Sequence, residues 1–427
     1  INDTGMNSSP YSALSAMALH PVYMRLDEFP MPQSMKARIA DMRLAQADTS
    51  RVAFQEVAAF KEKILREIYF RDRDESIAQV PREFRDQRWL VEYAVYRHLK
   101  DRYGGSAWFQ WNADEEKSQE VQELLRDPEW FRIEEYFVHN IRQAGFYVWL
   151  QYHLHRQLTS VREYADERGV FLKGDMPIML ERDSVDVWLN PQLFNHHLRA
   201  GAPPDMFSPE GQNWGFPVYD WPQHRADGFA WWKSRIRQAE KFFAAYRIDH
   251  VLGFFRIWCL DAADNSGYCG FFLPSSALSS AELCDFLSDE EIHRLTNAAN
   301  RERCLIRNGE IFYPAWDFPR KLAGAALSDD RKTKLAALVE KKTRGDAEMQ
   351  RRQGHEILSA LKTASAMLAC AEDLGAVPDY VGPTLAELKI LSLCVLRWRP
   401  QGNGLESPAT YNELSVATPS VHDSSNL

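Results

Sequence analysis

Ala244-Ala-Tyr-Arg-Ile-Asp-His250 is the stretch that decides the fold. It is a short, largely apolar run that ends on an acid. Before it, residues 229–244 carry Phe229, Trp232, Ile236, Phe242 and Phe243 at helical spacing. The same succession recurs. A helix over 349–362 leads into Met367-Leu-Ala-Cys-Ala-Glu372, and one over 382–388 leads into Ile390-Leu-Ser-Leu-Cys-Val-Leu396. Earlier, a helix over about 147–167, stopped by Gly169, leads into Val170-Phe-Leu-Lys-Gly-Asp175. Short apolar strands alternating with helices predict a parallel sheet covered on both faces. In a (β/α)8 barrel, acids at the C-terminal ends of strands line the active site. Asp175, Asp249 and Glu372 occupy such ends.

Further out, Asp3 to Tyr11 reads as loop, and helices are expected over 51–70 and over about 84–99. Gly201 to Trp221 combines Pro203, Pro204, Gly211, Gly215 and Pro217 with Phe207, Trp214, Phe216 and Tyr219, which predicts a long irregular loop facing a substrate. Glu372 follows Asp249 by 123 positions, far more than one crossover needs, so an inserted subdomain is expected around 262–345. From Glu372 to Asp423 is 51 residues, room for one intervening strand.

The 427 residues suffice for a large core. A net charge of −9 argues against a phosphate backbone as partner. The six cysteines form no CxxC pair, so reduced thiols are expected rather than a zinc site. No apolar run approaches the roughly 18–20 residues that span a bilayer. P-loop, dinucleotide and G-x-S-x-G signatures are missing too.

Three acidic clusters carry the chemistry: Arg247-Ile-Asp249-His250, Glu372-Asp373, and His422-Asp423. An arginine two residues from Asp249 on the same strand face keeps a carboxylate ionised, as a glycosyl nucleophile requires. A structural Arg–Asp pair would look the same. The apolar strand behind Glu372 suits a carboxyl tuned to donate a proton near neutrality, but an acid complementing a helix dipole would also sit there. Asp423 could equally cap a helix. Converging at one barrel mouth, two or three carboxylates suit a glycosidic bond, where one attacks and another protonates the departing oxygen. Aromatic side chains beside Gln212 and Asn213 suit a pyranose, with its apolar face and hydroxyl edge, or else form a hydrophobic lid.

Jointly, several motifs resemble glycoside hydrolase family 77, the 4-alpha-glucanotransferases. They are Ser9-Pro-Tyr11-Ser, Gly174-Asp175-Met-Pro-Ile178, Arg182-Asp-Ser-Val-Asp186, Gly201-Ala-Pro-Pro-Asp205 through Gly211-Gln-Asn-Trp-Gly215, and the three acidic clusters. The openings Ile1-Asn-Asp-Thr4 and Ala18-Leu-His-Pro21 are most similar to the branch holding plant cytosolic and Bacteroidetes-type enzymes. The sequence departs from the family pattern at Met179-Leu180, Cys259 and Cys394.

The resemblance implies a (β/α)8 TIM barrel of the alpha-amylase clan over 1–427, incomplete at both ends, as in an internal piece of a longer protein. Helical insertions are expected around 30–145. It implies transfer of α-1,4-glucan segments by double displacement, with Asp249 as nucleophile, Glu372 as acid/base and Asp423 as transition-state stabiliser. Tyr11, Asp175, Arg247, His250 and His422 would surround the bound glucose, and Gln212 and Trp214 would lie on the acceptor side. It implies no cofactor and no metal. Its partners are an α-1,4-glucan, maltose or maltooligosaccharide donor and a sugar acceptor, with neither nucleic acid nor membrane. The expected location is cytoplasmic, with starch-binding modules possible outside this stretch. An α-glucan hydrolase and a non-catalytic glucan-binding barrel stay open as alternatives.

Overall fold

The computed structural model describes residues 2–47, 50–71, 73–115, 118–205, 208–264, 266–402 and 404–421. The chain divides into two compact units, Ile1–Phe171 with Leu180–Pro191, and Leu172–Met179 with Gln192–Leu427. Among the described residues no helix is long and apolar enough to cross a membrane.

The first unit is helical. Helix Arg88–Arg102 is buried on every side, through Leu90, Val91, Tyr93, Ala94, Tyr96 and Leu99, as befits a helix inside a core. It packs against Ile141–Asp166, which in turn meets Phe54–Arg71. The helix expected over 84–99 is in fact two, Arg82–Arg85 and Arg88–Arg102, because Gln87 between them is extended. The helix expected from about 147 begins earlier, at Ile141, and the turn after it passes through Gly169 at φ 68°. Asp3 is wholly buried here. It accepts hydrogen bonds from Tyr93 Oη at 2.6 Å and Gly5 N at 3.0 Å, and pairs with Arg97. Burial opposes its charge, but Arg97, His20 and these donors outweigh it and hold the carboxyl below its usual range.

The second unit contains the alternation expected from the sequence. Its strands β1 (Lys173–Met176), β2 (Ala245–Ile248) and β3 (Leu368–Ala371) pair in parallel, as do β4 (Ser392–Val395) and β5 (Ser415–Thr418). A parallel bridge between Cys370 and Leu391 joins the two sets in the order β1-β2-β3-β4-β5. Neighbours in the sheet are thus successive parallel strands of the chain, as βαβ connections produce. Helix Ala230–Glu240 precedes β2, Asp346–Lys362 precedes β3 and Val381–Glu387 precedes β4. Gly354 lets the second of these helices approach the turn after β2. A Cβ there would stand 2.1 Å from the Phe255 ring.

Residues 201–221 differ from expectation. Only the middle is loop, residues 203–205 and 208–211 of the described ones: Phe194–Ala202 and Gln212–Tyr219 form an antiparallel hairpin, extended through Ile257–Asp261 to Phe271–Leu273. Gln212–Tyr219 is the edge strand of that sheet, a position that tolerates Pro217, and Gly215 adopts φ 80°. Gly201 is required by close approach, since a Cβ would fall 2.1 Å from the Gln212 carbonyl oxygen.

Residues 278–339 form a small module with a three-stranded antiparallel sheet and its own apolar cluster, including Leu283, Leu295, Leu305, Phe312 and Leu335.

Candidate active site

Register places the acids. Asp175 of β1 stands opposite Arg247 of β2, and Met176, Ile248 and Ala371 align one step further on. Asp249 and Glu372 are therefore level, each the first residue beyond its strand. The ladder continues through them: Asp249 N donates to Met176 O at 3.2 Å, and Glu372 N to Ile248 O at 2.8 Å. Alternation puts Asp175, Arg247, Asp249 and Glu372 on one face, with Ile248 and Ala371 buried on the other. Asp249 and Glu372 thus project from neighbouring strands at the same level, as a pair of carboxylates acting on one glycosidic bond requires.

Arg247 is buried, at 6% exposure, and bridges two acids. Its Nε donates to Asp175 Oδ1 at 2.9 Å and its Nη2 to Asp249 Oδ1. Burial alone would weaken the guanidinium's hold on its proton. Asp175, then Asp249 and Glu372, reverse that and raise its pKa above the ordinary value.

Glu372 is half-buried, and burial pushes its pKa up to about 7. The His250 backbone N–H, donating to Oε2 at 2.8 Å, works against the shift, while the charge of Asp249 adds to it. His250 itself adopts a left-handed φ of 49°. Burial lowers the His250 ring to about 4, so it is neutral at pH 7. Trp214 of the hairpin meets this ring edge to face at 5.0 Å, and its own indole N–H donates to Gln212 Oε1 at 2.8 Å.

The second unit thus brings together Asp175, Arg247, Asp249, His250, Glu372, Trp214 and Gln212. Tyr11 belongs to the first unit, half-buried in the turn where its N–H donates to Ser9 Oγ at 3.4 Å. His422 and Asp423 lie outside the described residues. The chain up to Val421 packs on Cys370, Leu393 and Val395.

Two contributions escaped the sequence. Asp373 Oδ1 accepts from Leu393 N at 3.0 Å, tying the end of β3 to β4. His250 acts on Glu372 through its main chain, which residue type does not reveal.

Parallel strands with level carboxylates, one held by arginine and one shifted towards neutrality, are an arrangement suited to chemistry at a glycosidic bond. The chain belongs to glycoside hydrolase family 77, described as 4-alpha-glucanotransferase, whose profile matches residues 1–427. Among its relatives, 4-alpha-glucanotransferase DPE2 of Oryza sativa subsp. japonica is 31% identical over 513 residues, covering 100% of this chain and 53% of its own length. The 4-alpha-glucanotransferase of Chlamydia caviae is also 31% identical, covering 100% of this chain and 66% of its own. The chain therefore spans between half and two thirds of these relatives. In solved structures it is similar to amylomaltase from Streptococcus agalactiae in complex with acarbose, with a TM-score of 0.63 and 20% identity over 99% of this chain and 70% of that one. Amylomaltase from Corynebacterium glutamicum gives 0.60 and 17%, over 98% and 47%. The chain shares their fold.

Proposed function

We propose that the protein to which this chain belongs is a 4-alpha-glucanotransferase, moving α-1,4-glucan segments or glucosyl units between maltooligosaccharides or longer glucans. The observation that carries this is Glu372, tuned to about 7 and level with an arginine-held Asp249 on the next strand. In this reading Asp249 attacks the anomeric carbon while protonated Glu372 gives its proton to the departing 4-oxygen. The carboxylate then takes the proton of an acceptor's 4-hydroxyl as that oxygen displaces Asp249, and the α-configuration is retained. A pKa near the working pH lets one group serve both steps.

Asp175, Arg247, His250, His422 and Tyr11 hold the donor glucose and Asp423 steadies the oxocarbenium-like transition state. Gln212 and Trp214 on the hairpin favour a sugar over water as acceptor. A completed (β/α)8 barrel with insertions around 30–145 and 262–345 is the architecture that fits. A cytoplasmic setting belongs to the same reading, supported by six unpaired cysteines.

Maltotriose as sole substrate tests it. Transfer yields glucose together with maltotetraose and longer products. Shorter sugars alone would mean hydrolysis, and no turnover together with retained glucan binding would mean a binding barrel.

A further inference from the structure

A second feature of the same unit is unused by this chemistry. Arg256, Phe272, Trp316, Asp379 and Tyr380 line a cavity of about 590 Å³, within the roughly 300–1,000 Å³ of small-ligand sites. Its walls come from the segments that leave the catalytic acids, Arg256 soon after Asp249 and Pro378–Tyr380 soon after Glu372, and from the inserted module, which supplies Trp316.

Three lining groups have unspent hydrogen-bonding capacity. Arg256 is half-buried with its guanidinium over the Phe272 ring at 4.1 Å, and it has no carboxylate partner among the described residues. The Trp316 indole N–H and the exposed Asp379 carboxylate likewise have no hydrogen-bond partner among them. Trp258 fixes the aromatic wall. Its N–H donates to Gly267 O at 3.0 Å, and its ring meets Phe272 and Trp316 edge to face at 4.8 and 5.8 Å.

The charge balance selects the ligand. An anion would find one guanidinium but three lining carboxylates, Asp317, Asp346 and Asp379. A neutral polyol with apolar faces uses all that is offered: donors at Arg256 and Trp316, an acceptor at Asp379, and ring faces at Trp316 and Tyr380. We infer that this cavity is a binding site for a short run of glucosyl units of a long α-glucan, apart from the carboxylate pair. It rests on the function proposed above. There it would hold the remote part of a polymeric substrate while a chain end reacts.

Trp316→Ala in the full protein tests this, with Asp379→Ala as a second, surface-exposed variant should the first fail to fold. Gel retardation by glycogen and titration with maltoheptaose are read alongside maltotriose disproportionation. The site predicts glycogen retardation weakened about fivefold or more, with maltotriose turnover within about twofold of wild type. Unchanged retardation in a folded variant overturns it, as does an equal loss with maltotriose. If wild type shows no transferase activity, yet glycogen retardation still falls in the variants, the function proposed above fails and the binding site stands.

Discussion

Replacing Glu372 by Gln removes one ionisable group and leaves the acceptor for the His250 N–H in place. Its pKa is raised from 4.5 to about 7 by burial first. The fold therefore prefers the protonated form. Below about pH 4.5 folded and unfolded chains both carry the proton and no difference arises. Between 4.5 and 7 the folded protein keeps a proton the unfolded chain has lost, so stability falls as pH rises. Above 7 the full cost is present, 2.5 units at 1.36 kcal/mol each, or about 3 kcal/mol. Glu372→Gln should therefore match wild type near pH 4.5 and exceed it by up to about 3 kcal/mol at pH 8.5. Over the same series, transfer should fall about 10²–10⁴-fold. Urea denaturation of both proteins at half-unit pH steps measures the first effect. A stability difference that stays flat from pH 4.5 to 8.5 would refute the tuning of Glu372, whatever happened to activity.

The same pKa sets an alkaline limb near pH 7 in the kcat/KM profile of wild type, to be measured with maltotriose, and a limb above pH 9 would contradict it. Arg247→Met leaves the 16%-exposed Asp249 carboxylate without its cation and should cost about 3 kcal/mol, seen as a lower urea midpoint. Asp175, at 43% exposure, contributes little to that loss. Gly354→Ala forces a Cβ into the Phe255 ring. Overpacking of about 1–3 kcal/mol should exceed the gain of about 1 kcal/mol in helix propensity, giving a lower Tm by calorimetry.

The strands that carry the acids were legible because each is a short apolar run closing on a charged residue, a pattern that survives without any partner in view. Arg247 and Asp249 could be paired from their two-residue spacing alone. Asp175 could not, because its link to Arg247 runs across strands and depends on register. The hairpin was read as loop because proline and glycine in Gln212–Tyr219 break the strand pattern, and only an edge position excuses them. His250 was legible as a side chain but not as a backbone donor, since residue type does not reveal where a main-chain N–H points.

The inserted module of residues 278–339 also bears on how the site comes into being. Asp249 and Glu372 stand 123 positions apart in the chain, and closing so long a flexible loop costs about 4 kcal/mol in entropy. The module has a local antiparallel sheet and apolar cluster of its own. With it condensed, about half of that loop is no longer free, and helix Asp346–Lys362 lies close to the turn after β2. Condensing the insertion first would shorten the loop that must close before β3 can pair. A lesion in its leucine cluster, distant in sequence from both acids, would be felt as slow assembly of the pair.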